Sequence, residues 1–425
     1  MHIVVIIDFN SGSRPEPNAG SAAVRNLLYS PELFRYNKSK SGKLLNYFTN
    51  RENMAKMRRI LILSVAIGSG HLKTADALAQ TYRERFGGEA YPVDFMRRAL
   101  PGFSAVVEQS YYLTTQYTPF VYQWLYQLED RKHSALRGIE ARLGLSRYAE
   151  LVREFKPDAI ISTHSFPAVV ASRLFPRHPI PNAVVVTDYT SHHIWVNPNT
   201  QLYFVAHPGM VGELQAQGVP IAKIRVTGIP VRPAFTESYD RSRLQRRFGL
   251  EPGLMTLMVM SGGNAIGPMA EAVTALGEWK DRIQLIAVAG HNQGMYGELT
   301  SLFRNLGLKG MVLPFVDNIQ EYMAVSDLLV SKAGGLTVAE SLVMGLPILV
   351  IRPTPGQEDG NTQFLENCGA GIFLSGIPDL KRVVAKLLQQ PGQIGRMRQN
   401  ALNAARPDAS ELILTEMEQL IRLAR

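Results

Sequence analysis

The 425 residues suffice for two or three domains, and a 46% hydrophobic, 19% charged composition is that of a globular protein with a full core. A single cysteine, Cys368, excludes a disulfide framework and a cysteine-rich zinc site and fits a reducing compartment. No apolar run approaches the ~18 residues of a membrane-spanning helix. The net charge of +9 is lopsided: Lys and Arg outnumber Asp and Glu by 8 to 4 over residues 1–56 and by 19 to 13 over 57–235, then stand at 18 against 19 over 236–425. An anionic partner that touches only the first half is one reading, with nucleic acid and acidic lipid both qualifying; a solubilising surface is the other.

The start, MHIVVIIDFN, has a short apolar run without a basic leader and makes a poor signal peptide. Residues 8–56, rich in Ser, Asn, Pro and Lys, lack an apolar period, so 1–56 reads as a mobile leader and Met57 is itself a competent start of translation. From Met57 the pattern changes. MRRILILSVAIGSGH places a buried first strand before a glycine loop, and AIIST, AVVVT and YFVA follow as short apolar strands separated by helical stretches. TGIPVRPAF (227–235) reads as an inter-domain linker. A second series, MTLMVMSGG, IQLIAVAG, MVLPFV, DLLVSKAGG and LPILVIRP, repeats the alternation. Strand–helix alternation twice over predicts an α/β protein of two doubly wound, Rossmann-like domains facing across a cleft. The expected boundaries are 57–232 and 233–395, with an amphipathic helical tail over 396–425.

Three strands end in glycine loops ahead of helices: SVAIGSGH, VMSGGNAIGP and VSKAGGLT. Glycine admits close backbone approach, and a helix start offers free N–H groups to phosphate. None meets a stricter motif; GSGHLK has Lys73 where a dinucleotide fingerprint needs its third glycine. Thr337-Val-Ala-Glu340 has the spacing of a capping box, in which the glutamate closes on its own first turn. Gly334 and Gly335 bring backbone N–H groups to the same place, and a carboxylate beside a phosphate-binding helix start can accept both hydroxyls of a ribose. Downstream, Gln357, Glu358 and Asn361 cluster at a loop-to-helix start, either a polar cap or the amide-and-carboxylate rim that sugar hydroxyls need. Ribose clamp and rim together suggest a nucleotide sugar.

SKAGGLTVAESLVMGLPILVIRPTPGQEDGN closely resembles the donor half of family-28 glycosyltransferases, especially plant monogalactosyldiacylglycerol synthases and bacterial diacylglycerol glucosyltransferases, and more distantly the N-acetylglucosaminyltransferase of peptidoglycan synthesis. ILILSVAIGSGHLKTADAL, VTDYTSHHIW and VTGIPVRPAF resemble other segments of the lipid-galactose enzymes. The resemblance runs from Met57 to about Gly376. It implies the GT-B fold and transfer of a hexose from a UDP-sugar, with inversion, to a membrane lipid hydroxyl, most readily diacylglycerol; a polyprenyl or phospholipid-derived acceptor, or a non-catalytic UDP-sugar sensor, are the alternatives. By resemblance Glu340 binds ribose, with Gly70, Gly334, Gly335 and Thr337 at the glycine loops. Gln357 and Glu358 hold the sugar; Ser261, Gly262, Gly263 and Asn264 meet the diphosphate; Phe315 and Val316 flank the uracil. PGQE has Gln-Glu where the peptidoglycan enzyme has two glutamines, which leaves the sugar open. His71 is the expected base, its ordinary pKa of ~6.5 suiting the task. Asp188 orients it or serves as base itself, and His164 and His193 are structural or on the acceptor side. The chain has no Asp-x-Asp pair, so no metal or other cofactor is expected, and the charge on departing UDP falls to helix dipoles and backbone N–H groups.

Residues 103–126 hold eight aromatics in 24 positions, among them Tyr117, Phe120, Tyr122, Trp124 and Tyr126, and Arg131, Lys132, Arg137 and Arg142 follow. Such a stripe is core or an interfacial belt; with the basic N-terminal half it reads as an acceptor and membrane face on an anionic surface. Peripheral association with the cytoplasmic face of the cell membrane is the expected location. Nucleic acid is not expected as a partner, since no binding motif accompanies the charge.

Overall fold

The computed structural model describes residues 58–66, 70–99, 102, 135–265, 267–351, 354 and 358–424, all within one compact unit, Met57–Arg425. Twelve strands form two six-stranded parallel sheets. The first contains β1 (Arg59–Ser64), β2 (Glu89–Asp94), β3 (Ala159–Ser162), β4 (Asn182–Val185), β5 (Leu202–Val205) and β6 (Ile224–Val226), in the order β2-β1-β3-β4-β5-β6. The second contains β7 (Met255–Met260), β8 (Ile283–Val288), β9 (Gly310–Leu313), β10 (Leu328–Ser331), β11 (Ile348–Ile351) and β12 (Gly371–Leu374), in the order β12-β11-β10-β7-β8-β9. Helices cover both faces, so the central strands are apolar throughout: Ile60–Leu63, Ala159–Ile161 and Ala183–Val185 are all 0–1% exposed.

The direction of winding reverses between β1 and β3 in one sheet and between β7 and β10 in the other. At such a point the loops leaving two neighbouring strands diverge and open a crevice beyond their carboxyl ends. The residues after β1, β4, β7 and β10 all line one cleft, so the two crevices face each other.

Three strands were not anticipated: β2, β6 and β12. All lie at sheet edges. β2 carries Pro92, tolerated where one side of the strand has no ladder to donate to.

The 396–425 tail is not a separate appendage. The expected boundary at 395 falls inside the helix Pro391–Ala404, whose Ile394 and Met397 pack in the core of the second sheet. The last helix, Ala409–Leu423, crosses back and buries Ile413, Leu414, Met417 and Ile421 against Ile60, Ile161 and Phe204 of the first and against Leu78 of the helix Gly70–Thr81 that covers it. Its Glu418 pairs with Arg58 and accepts from the Tyr82 hydroxyl at 2.6 Å. The N-terminal lobe is therefore built from residues 58–226 together with the helix Ala409–Leu423. The two crossings touch: Gly228 has φ +93°, and a Cβ there would stand 2.3 Å from Arg406 Cβ.

Candidate active site

Between the lobes lies a cleft of about 500 Å³. On the N-terminal side the helix Gly70–Thr81 begins at the cleft and presents His71. The His71 Nδ1 lies 2.9 Å from the Thr163 carbonyl and 2.9 Å from Thr187 Oγ1. A carbonyl only accepts, so Nδ1 carries the proton and Nε2 carries the lone pair. Thr163 Oγ1 donates in turn to the His71 carbonyl at 3.1 Å, and the His164 ring packs edge-on at 4.8 Å. Burial pushes the His71 pKa down to about 4, partly opposed by the Thr163 carbonyl. The ring is neutral near pH 7, its lone pair available.

The orienting bond expected of Asp188 is thus made by Thr163 and Thr187. Asp188 also lines the cleft but is anchored elsewhere, its Oδ1 accepting from Asn361 Nδ2 at 3.0 Å. Burial raises its pKa to about 6, with the Asn361 amide holding it down. His164 caps the helix Ser165–Leu174 by accepting from Phe166 N at 3.1 Å, a structural task. His193 sits in a single 3-10 turn with the buried Trp195 and is not among the residues lining the cleft.

On the C-terminal side, Ser261, Gly262, Gly263 and Asn264 follow β7 into the cleft. Gly262 has φ +65°, and His291 N donates to Gly263 O at 2.8 Å, fixing the loop. A Cβ on Gly290 (φ +58°) would meet Gly263 O at 2.1 Å, so only glycine admits this approach. Phe315 and Val316 line the same wall; the Phe315 ring stacks on His291 with centroids 4.2 Å apart, and Lys73 Nζ reaches over it from the other lobe at 5.8 Å.

Gly334 is the N-cap of the helix Gly335–Val343, with no side-chain capping bond. Thr337 is therefore the third helical residue and Glu340 the sixth, too far along for a capping box, and that reading fails. The Glu340 carboxylate faces the cleft without a hydrogen bond or ion pair among the described residues. Burial raises its pKa to about 8, opposed by Arg232 and Lys73. Glu358, 3% exposed, reaches the cleft edge, with Lys332 Nζ on Oε1 and Thr354 N on Oε2, each at 2.8 Å.

Asn361 departs from expectation. It is 0% exposed and does not line the cleft; its amide bonds Asp188 and Tyr189 of the other lobe instead. Gln357, the aromatic stripe with Tyr117, Phe120, Tyr122, Trp124 and Tyr126, and Arg131 and Lys132 lie outside the described residues. Lys73, Arg232 and Lys332 went unrecognised as cleft cations. Each was visible as a basic residue beside a glycine loop or within the linker. Arg232 Nη2 donates to Asp317 O at 2.9 Å, while its Nε is buried with no partner among the described residues. Among those residues no three His, Cys, Asp or Glu side chains form a metal-binding group, and no helix is long and apolar enough to cross a membrane.

Residues 71–231 match the family described as monogalactosyldiacylglycerol (MGDG) synthase, and residues 256–413 match the glycosyltransferase family 28 C-terminal domain. The chain is 29% identical over 364 residues to a processive diacylglycerol beta-glucosyltransferase of Bacillus subtilis, covering 85% of this chain and 94% of that one. It is 27% identical over 382 residues to the chloroplastic monogalactosyldiacylglycerol synthase of Spinacia oleracea, covering 86% and 73%. A UDP-GlcNAc 2-epimerase from Neisseria meningitidis, solved bound to UDP-GlcNAc, superposes with a TM-score of 0.57 at 14% identity, covering 85% of this chain and 100% of that one. That likeness is one of fold, the GT-B arrangement.

Proposed function

From a chain that belongs to the family-28 glycosyltransferases of the monogalactosyldiacylglycerol synthase and diacylglycerol glucosyltransferase type, we propose an inverting transferase that moves a hexose from a UDP-sugar onto the free hydroxyl of diacylglycerol at an anionic membrane surface. One observation carries the reading: a histidine whose Nε2 lone pair and a glutamate, Glu340, whose carboxyl group have no hydrogen-bond partner among the described residues enter one cleft from two opposed switch points. In the step, His71 Nε2 takes the acceptor's hydroxyl proton while the oxygen attacks the anomeric carbon. The carbon–oxygen bond to the β-phosphate breaks, and UDP leaves with the electron pair from the opposite face. A buried imidazolium is stabilised by negative charge, and Asp188, next in sequence to the Thr187 that bonds the ring, is the carboxylate the same cleft offers when ionised.

Glu340 suits the ribose hydroxyls and Glu358 the sugar. The Ser261–Asn264 loop, the helix start at Gly335, Lys73 and the Arg232 Nε, which has no partner among the described residues, offer positive charge and N–H groups to the diphosphate, which supports a step without metal. The GT-B fold alone does not separate transfer from epimerisation, since an epimerase shares it. Both sequence matches favour transfer.

The deciding experiment measures UDP release from UDP-glucose and UDP-galactose in EDTA, with and without diacylglycerol in anionic vesicles, for the wild type and His71→Ala. Lipid-dependent release that falls about a hundredfold or more in the variant supports the proposal. Release independent of lipid would sink it, as would a His71→Ala enzyme of normal rate.

A further inference from the structure

Asn361 lies on the helix Asp359–Asn367, three residues beyond Glu358. Its Nδ2 donates to Asp188 Oδ1 at 3.0 Å and to Ala333 O at 2.9 Å, and its Oδ1 accepts from Tyr189 N at 2.6 Å. A primary amide has two N–H donors and two lone pairs, so three of its four hydrogen-bonding positions are committed, and Asn361 does not line the cleft. Asp188 and Tyr189 belong to the loop after β4, which also supplies Thr187 to the His71 ring; Ala333 belongs to the loop after β10. The lobes meet here without room for a methyl group. A Cβ on Gly335 would stand 2.0 Å from Thr187 O, and one on Gly360 would stand 2.5 Å from Thr190 Cγ2.

We propose that Asn361 is a positioning residue: it locks segment 187–189 of the N-terminal lobe to the helix that starts directly after Glu358, and so sets His71 and Asp188 against the donor sugar. It also selects which Asp188 oxygen faces the reaction, since Oδ1 is held and Oδ2 has no hydrogen bond among the described residues. The inference rests on the transferase reading above.

The test compares wild type, Asn361→Ala and Asn361→Asp by steady-state kinetics across pH, with calorimetric UDP binding and a thermal melt for each. Asn361→Ala should lower kcat by about a hundredfold, the scale of a misplaced catalytic group. KM for the UDP-sugar and the affinity for UDP should stay within about twofold. The acid limb of its pH profile should move up, because the amide N–H that favours ionised Asp188 is gone while His192, Lys332 and Glu358, the other charged groups facing Asp188, remain. Asn361→Asp, which sets a second carboxylate against the first, should lose more.

A raised KM at unchanged kcat would make Asn361 a sugar ligand, and a lowered melt with normal kinetics would make it merely structural. Either overturns the proposal while the transferase reading stands. A wild type without lipid-dependent turnover would overturn both.

Discussion

Glutamine in place of Glu340 should make the empty protein more stable at alkaline pH while removing its nucleotide. The carboxyl has an ordinary pKa of 4.5 and is raised by burial to about 8 in the folded chain. At about 1.4 kcal/mol per tenfold, that disfavours the ionised form by roughly 5 kcal/mol. Water in the cleft mouth screens part of this, and about 1–3 kcal/mol is the expected effect on stability. The folded pKa lies above the unfolded one, so the folded chain holds a proton that the unfolded chain releases. The contribution is fully present below about pH 4.5, declines from there to about pH 8, and is lost above it. Glu340→Gln should match the wild type in urea unfolding near pH 5 and exceed it by about 1–3 kcal/mol near pH 8.5. Near pH 8.5, where the carboxyl is ionised, the same variant loses the charged acceptor for two ribose hydroxyls, and UDP affinity by calorimetry should fall roughly ten- to a hundredfold. A variant no more stable than wild type at the higher pH would refute the burial argument. Unchanged UDP affinity would refute the ribose assignment.

Three further outcomes follow from the geometry. Thr187→Val removes one of the two partners at His71 Nδ1 and should lower kcat about tenfold with UDP affinity intact, read by initial rates. Deleting residues 409–425 uncovers a face that accepts four large apolar side chains, each worth about 2 kcal/mol. That sum rivals the whole stability of a typical protein, so calorimetry should show no cooperative melt. Alanine is tolerated at a first helical residue, yet the methyl of Gly335→Ala would collide with Thr187 O. Turnover should fall by about tenfold or more while the melt barely changes, and small-angle scattering should show a wider cleft.

The central strands were legible because a parallel strand covered on both faces is a continuous apolar run, as in ILIL and VVV. Edge strands lack that constraint: EAYPVD includes a proline and two acids, and β6 has only three residues, so neither stands out. The glycine loops were legible for a related reason, since close approach leaves few alternatives to glycine. Polar residues were not. A glutamate three residues after a threonine fits a capping box, and only the backbone of Gly334, three residues before Thr337, shows that the helix has already started there. Asn361 has the composition of a sugar rim, but its enclosure depends on how two lobes meet, which no local pattern encodes. The cations Lys73 and Arg232 reach the cleft from the opposite lobe and the linker, again a matter of long-range packing.

The return of the last helix to the first sheet has a consequence for synthesis. The N-terminal sheet is complete in sequence at β6, yet the face that takes Ile413, Leu414, Met417 and Ile421 waits for the end of the chain. At about 5–20 residues per second, the roughly 180 intervening residues keep that face uncovered for about 10–40 s. The C-terminal sheet has all six strands before that helix is made and can close first. Maturation therefore runs against the order of translation, and a nascent chain stalled before residue 409 carries a finished second lobe beside an open first one.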